Sequence, residues 1–217
     1  MLLRDTLLGI LKDQRPPAPP EPEVPRDLVA SVPAKSPQAV VLKGVRRCGK
    51  SVLQAQLMRR ATAAWYCNLE DTRLFGMSPE DFPTMLSVVE ELAPGAVPVF
   101  LDEVQVVAEW ERFVRSLLDR GRGVCVTGSN ASLLSRELGA KLTGRHLSFE
   151  VFPFGYQEYL AYTGGSPGAT SLLAYLDDGG FPGYLRERSP QVLQELLQEL
   201  LRQRGQTITL DLGSPSS

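Results

Sequence analysis

The chain has 217 residues, 43% of them hydrophobic, with a formal net charge of −2. That length supports one large α/β domain, or a domain with a small appendage, and the apolar fraction builds a full core. The near-neutral balance and the absence of a basic tail argue against a dedicated nucleic-acid binder, and no window approaches the 18 or so uninterrupted apolar residues of a membrane span.

Residues 2–13 are leucine-rich but carry Arg4, Asp5, Lys12 and Asp13 and lack a small-residue cleavage site, so they read as a short amphipathic helix and not a signal peptide. Leu3, Leu7, Ile10 and Leu11 share one face. Residues 15–25 hold six prolines and form an extended, stiff connector. The folded core is expected to begin between residues 26 and 38.

Next comes an apolar strand at 39–42, then Gly44-Val45-Arg46-Arg47-Cys48-Gly49-Lys50-Ser51, which fits G-x-x-x-x-G-K-[ST] at every fixed position. Two glycines let the backbone curl until successive N–H groups point inward around a phosphate. A helix from about 51 to 64 adds the positive end of its dipole. Lys50, not a core residue, brings a point charge to the β- and γ-phosphates, and the Ser51 hydroxyl is a hard oxygen suited to Mg²⁺. A ligand-free glycine turn is the competing reading, disfavoured by the strand and helix on the correct sides.

A second strand is expected at 65–69, ending in Glu70-Asp71, and a helix at 81–93 with Pro83 in its first turn. The run Val97-Pro98-Val99-Phe100-Leu101 leads directly into Asp102-Glu103, as when a buried parallel strand delivers carboxylates to its C-terminal edge. Trp110, Phe113, Val114, Leu117 and Leu118 mark an amphipathic helix over 108–120. Residues 124–127 form another buried strand, which brings Ser129 and Asn130 to the same edge. A short helix at 131–139, a loop at 143–145 and a strand at 147–152 complete five β-α units of a parallel sheet.

From Pro153 the pattern becomes helical: short helices at 155–161 and 169–176, a rigid turn at 179–183, and a strong helix at 191–203 with Leu193, Leu196, Leu197 and Leu200 on one face. Residues 153–203 read as a small helical lid and 204–217 as a frayed tail. Three widely spaced cysteines, Cys48, Cys67 and Cys125, suit reduced thiols in a cytoplasm, with Cys48 a spectator in the loop. The single histidine, His146, is assigned a packing role.

In order along the chain stand GVRRCGKS, YCNLED, VFLDEVQ with Trp-Glu-Arg-Phe shortly after, VTGSNASLLS, LTGR, FPFGYQEYL and GGFPGYL. Over residues 36–188 this series resembles the bacterial and archaeal AAA-domain ATPases of the AAA+ superfamily that usually carry a further C-terminal domain. The resemblance implies an α/β P-loop NTPase core over 36–152, with five parallel strands in the order 5-1-4-3-2, flanking helices and a helical lid over 153–203. Residues 1–35 precede that core as helix and linker.

By the same resemblance, residues 44–51 are the Walker A site for ATP, and Asp102 and Glu103 are Walker B. Asp102, with Ser51, would hold the hydrated Mg²⁺, and Glu103 would polarise the attacking water. Ser129 or Asn130 matches the sensor-1 position, Asn130 counted with the catalytic groups and Ser129 with the nucleotide contacts. Arg145 occupies the region of the superfamily's arginine finger, with Arg136 the weaker candidate. Acting on a neighbour's nucleotide, such a finger implies a homo-oligomer. Family members usually continue past the lid, so a C-terminally shortened member is expected.

The implied activity is hydrolysis of ATP to ADP and phosphate, coupled to lid motion, on a protein or DNA target. The alternative is a nucleotide-dependent switch with little turnover. A small-molecule kinase fits poorly, because no acceptor site is legible.

Overall fold

The computed structural model describes residues 2–128, 142 and 144–203. Five strands form one parallel sheet: β1 (Ala39–Lys43), β2 (Trp65–Asn68), β3 (Val99–Asp102), β4 (Val124–Gly128) and β5 (His146–Glu150), in the order β2-β3-β4-β1-β5. This is the expected 5-1-4-3-2 arrangement read from the other edge. The near-continuous apolar runs of β1, β3 and β4 place them in the middle, where both faces are covered. The more polar β5 lies at an edge and is only partly buried.

The period of two sorts the strands onto two cores. On one face Ala39, Val41, Cys67, Leu101 and Val126 pack with α4 (Phe82–Leu92) and α5 (Trp110–Asp119). On the other, Val40, Leu42, Tyr66, Phe100 and Cys125 pack with Leu53 and Leu57 of α3 (Lys50–Met58). Pro83 sits in the first turn of α4, where a missing N–H costs nothing.

The expectation that the folded core starts after residue 26 is corrected. Helix α1 (Arg4–Asp13) belongs to the first core: Leu7, Ile10 and Leu11 are buried in it, among the residues of α4 and α5. Its start is fixed by the Leu2 amide, which donates to Asp81 Oδ1 at 2.6 Å. The connector is also held down. Gln56 of α3 accepts from the Arg26 amide and donates to the Val24 carbonyl, and both Val24 and Arg26 are buried. The short helix α2 (Leu28–Ser31) follows, and Arg60 donates to the Val29 and Val32 carbonyls just beyond α3. Helix α3 stops at Met58, short of the expected residue 64, and the exposed Arg60 straps the preceding segment through these two carbonyls.

After β5 come α6 (Tyr156–Thr163), α7 (Ala169–Asp178), α8 (Pro182–Glu187) and α9 (Pro190–Gln203). Of the stretch expected to be a rigid turn at 179–183, residues 179–181 are non-helical, while Pro182 and Gly183 open α8, with Pro182 in its first turn. Phe154, Tyr159 and Leu185 form a third small core with Val24 of the connector. The expected helix at 131–139 and the tail at 204–217 lie outside the described residues.

Candidate functional site

The loop after β1, the end of β3 and the end of β4 reach the same, C-terminal edge of the sheet, because all their pairings are parallel. The strand order reverses beside β1, and open parallel sheets bind ligands at such a switch point.

Both glycines of the loop are needed where they stand. A Cβ on Gly44 would lie 2.3 Å from the Val151 carbonyl oxygen, a backbone atom that cannot yield. Gly49 has φ +98°, and a Cβ there would meet Arg26 Nη1 at 2.6 Å. Arg47 also adopts a left-handed conformation, and its guanidinium pairs with Glu195 of α9 at 3.1 Å. Arg46 faces Glu70 at 3.9 Å in solvent, a weak pair.

Lys50 was read as standing outside the core, but only 4% of it is exposed. Its Nζ donates to the Gly44 and Val45 carbonyls at 3.1 and 3.0 Å, so the ammonium folds back over its own loop. Among the described residues no carboxylate pairs with it. A buried ammonium satisfied only by neutral carbonyls is a charge for which an anion is the natural partner. Ser51 follows it in the first turn of α3, half-buried.

Cys48 is fully buried beneath the loop. Burial pushes its thiol pKa up, against the opposing charges of Lys50 and Arg26, which suits a spectator. Burial likewise raises Cys67, and holds Cys125 at about 12.

Asp102 ends β3 and is buried. One carboxylate oxygen accepts the Thr127 hydroxyl, and the other accepts the Tyr66 hydroxyl at 3.0 Å. Burial, then the neighbouring Asp102 charge, pushes the Tyr66 phenol far above its usual pKa, so it remains a donor. With two hydroxyls and, among the described residues, no cation against it, this carboxylate is chemically suited to a hydrated divalent ion. Among the described residues no cluster of three or more His, Cys, Asp or Glu could hold a metal alone.

Glu103 follows with φ 53°, an uncommon conformation for a non-glycine residue and one that recurs at functional sites. Its amide donates to Thr127 Oγ1 at 3.1 Å, and its Oε2 accepts from Gln105 Nε2 at 2.6 Å.

Arg145 is not brought to this edge. It precedes β5, its carbonyl accepts the Ala39 amide at the start of β1, and its guanidinium pairs with Asp119 at 2.8 Å. With five residues of β1 between the rims, Arg145 stands about 15 Å from the phosphate loop. Ser129, Asn130 and Arg136 lie outside the described residues.

Sequence reasoning missed Arg26, Tyr66 and Thr127. Arg26 sits in a proline-rich strip whose partners are 22 to 132 residues away. Thr127 did carry a signal, a hydroxyl closing an otherwise apolar buried strand.

A parallel sheet of this order, with a glycine-bounded phosphate loop after β1 and an acid pair after β3, defines the class of P-loop nucleotide-binding domains. More particularly, residues 36–160, over half of the chain, match the profile of the "AAA domain" family, and the chain belongs to it. It is therefore a nucleotide-binding domain of the ATPase type. An uncharacterized protein of Methanocaldococcus jannaschii is 31% identical over 174 residues, covering 74% of this chain and 39% of that protein. An uncharacterized protein of Haemophilus influenzae is 32% identical over 129 residues, covering 55% of this chain and 32% of that protein. The chain thus spans between a third and two-fifths of the length of these curated relatives. No helix among the described residues is long and apolar enough to cross a membrane.

Proposed function

We propose that the protein binds ATP with Mg²⁺ and hydrolyses it to ADP and phosphate, with rearrangement of the helices after β5 as output. One observation carries this reading. At a single sheet edge stand a buried ammonium and a buried carboxylate, and among the described residues the first has no acidic partner and the second no cationic one.

The amides of residues 44–51 and the Lys50 ammonium cradle the β- and γ-phosphates. Ser51 and Asp102 would hold the hydrated Mg²⁺, which when bound supplies charge neutralisation between phosphate oxygens. Glu103 orients the attacking water, whose oxygen bonds the γ-phosphorus as the β–γ bridge breaks and ADP leaves. Ser129 or Asn130 supplies a further polar contact to that water. Arg145, about 15 Å from its own loop, serves a neighbouring copy, so the active form is a homo-oligomer. Three buried free thiols suit a reducing cytoplasm. A protein or DNA target receives the motion.

A second reading, a nucleotide-dependent switch with little turnover, draws support from the Glu103 carboxylate being already engaged by Gln105. Comparing wild type with Glu103→Gln at matched ATP affinity separates the two. The ATPase reading expects turnover to fall about 10²-fold or more. Wild-type turnover no faster than that of the variant leaves the switch.

A further inference from the structure

Arg26 arrives from outside the matched domain, yet its side chain is only 4% exposed and sits where loop, sheet and lid meet. Its Nη1 donates to the Cys48 carbonyl at 2.9 Å, its Nη2 to the Phe152 carbonyl at 2.6 Å, and its Nε to Glu158 Oε1 at 2.8 Å. The guanidinium also lies over the Phe154 ring, 5.2 Å from its centre. Glu158 of α6 is equally committed. Its Oε1 also accepts the Asp27 amide, and its Oε2 accepts the Gly155 amide that opens the helix.

We infer that Arg26 is a positioning residue that sets the shape of the phosphate loop and ties that shape to α6; this rests on the loop being the nucleotide site. The peptide bond supplies the reason. In a trans peptide the carbonyl and the following N–H point in opposite directions. Holding the Cys48 carbonyl outward against Arg26 turns the Gly49 N–H inward, toward the place a phosphate oxygen takes. The same guanidinium packs on Gly49 Cα closely enough to bar any side chain there, so the left-handed turn is clamped from behind. Only a planar fork with several donors can reach a loop carbonyl, a post-strand carbonyl and a lid carboxylate together. A loop that shifts on binding phosphate must therefore pull on Glu158, and a lid that moves must pull on the Cys48–Gly49 peptide. Pro182, whose Cγ would lie 3.9 Å from a Cβ added at Gly49, and the Arg47–Glu195 pair give the lid two further footholds on this loop.

The test uses the full chain carrying Arg26→Ala, Arg26→Lys or Glu158→Gln, read by amide hydrogen exchange and by calorimetry with MgATP. Without nucleotide, both Arg26 variants are expected to speed exchange at least about fivefold in residues 44–51 and 156–163 together, leaving 82–92 unchanged. ATP affinity is expected to fall roughly tenfold or more in Arg26→Ala and to recover only partly in Arg26→Lys, which offers a charge without the fork. Glu158→Gln is expected to keep ATP affinity within about threefold while abolishing the protection ATP gives to 156–163. If Arg26→Ala does not fold, the other two variants carry the same readouts. Wild-type exchange at 44–51 in a folded Arg26 variant, or a loosened loop with an unchanged α6, overturns the inference. Wild type that fails to bind ATP refutes the nucleotide reading separately, and exchange in the nucleotide-free protein still decides whether Arg26 couples loop to lid.

Discussion

Thr127 and Asp102 are hydrogen-bonded across neighbouring strands, and the same hydroxyl oxygen accepts the Glu103 amide. One side chain on β4 thus fixes both members of the acid pair at the end of β3. Because the hydroxyl is used twice, Thr127 is a brace for the carboxylates and not a polar strand ending.

Replacing Thr127 by valine keeps the volume and removes both bonds. The Glu103 amide then lacks its acceptor in a partly buried place, at a cost of about 1–3 kcal/mol. Glu103 loses the anchor of its left-handed backbone. Turnover should fall at least tenfold with ATP affinity changed less than about threefold, and Thr127→Ser should restore most of it. Steady-state kinetics alongside calorimetry check this. Equal losses in affinity and turnover would refute the bracing role.

The parts of the fold written locally were legible in the sequence. Buried parallel strands appear as apolar runs, the acid pair marks where β3 ends, and the phosphate loop lies within eight consecutive residues. Three of the four helices after β5, and the place of Pro83 in a first turn, were legible for the same reason. What required tertiary information was not. Helix α1 looked like an appendage because nothing in residues 2–13 says that Leu7 and Leu11 will join the core built by α4 and α5. Arg26 looked like part of a spacer because its acceptors come from three separate elements. The burial of Lys50 was missed because a lysine's sequence context does not reveal that its own loop carbonyls will fold over it.

Lys50→Ala tests the anion site directly. The ammonium's two acceptors are loop carbonyls, so its removal frees them for water and should change stability by about 1 kcal/mol or less. ATP affinity should drop about 10²-fold, because among the described residues no positive charge but Arg26 then remains buried against the loop. Calorimetry with a parallel thermal melt measures both. A melt like the wild type's with unchanged affinity would move the nucleotide elsewhere.

Leu11→Ala asks whether the first helix is structural. Leu11 is 2% exposed, and truncating such a side chain typically costs 2–5 kcal/mol. Leu3, 77% exposed just before the same helix, is the control, and Leu3→Ala should stay within about 0.5 kcal/mol. Urea denaturation of the two variants checks the contrast. Equal, small effects would return α1 to the status of an appendage.

Acid should loosen the helices after β5 through Asp178. Asp178, closing α7, accepts from Arg188 on both carboxylate oxygens and from the Tyr159 hydroxyl at 2.6 Å. Arg188, then Tyr159, holds the Asp178 pKa below its usual value. A carboxylate depressed on folding contributes stability that is present above its unfolded pKa, near 3.9, and is lost as pH falls through that value toward the folded one. Asp178→Asn should therefore cost about 1 kcal/mol at pH 7, and the difference from wild type should shrink steadily below about pH 4. Amide exchange in α6 and α7 at pH 7 and after transfer to pH 3 reads this locally. A difference between the two proteins that persists undiminished at pH 3 would show that the Asp178 charge is not what holds Tyr159 to the end of α7.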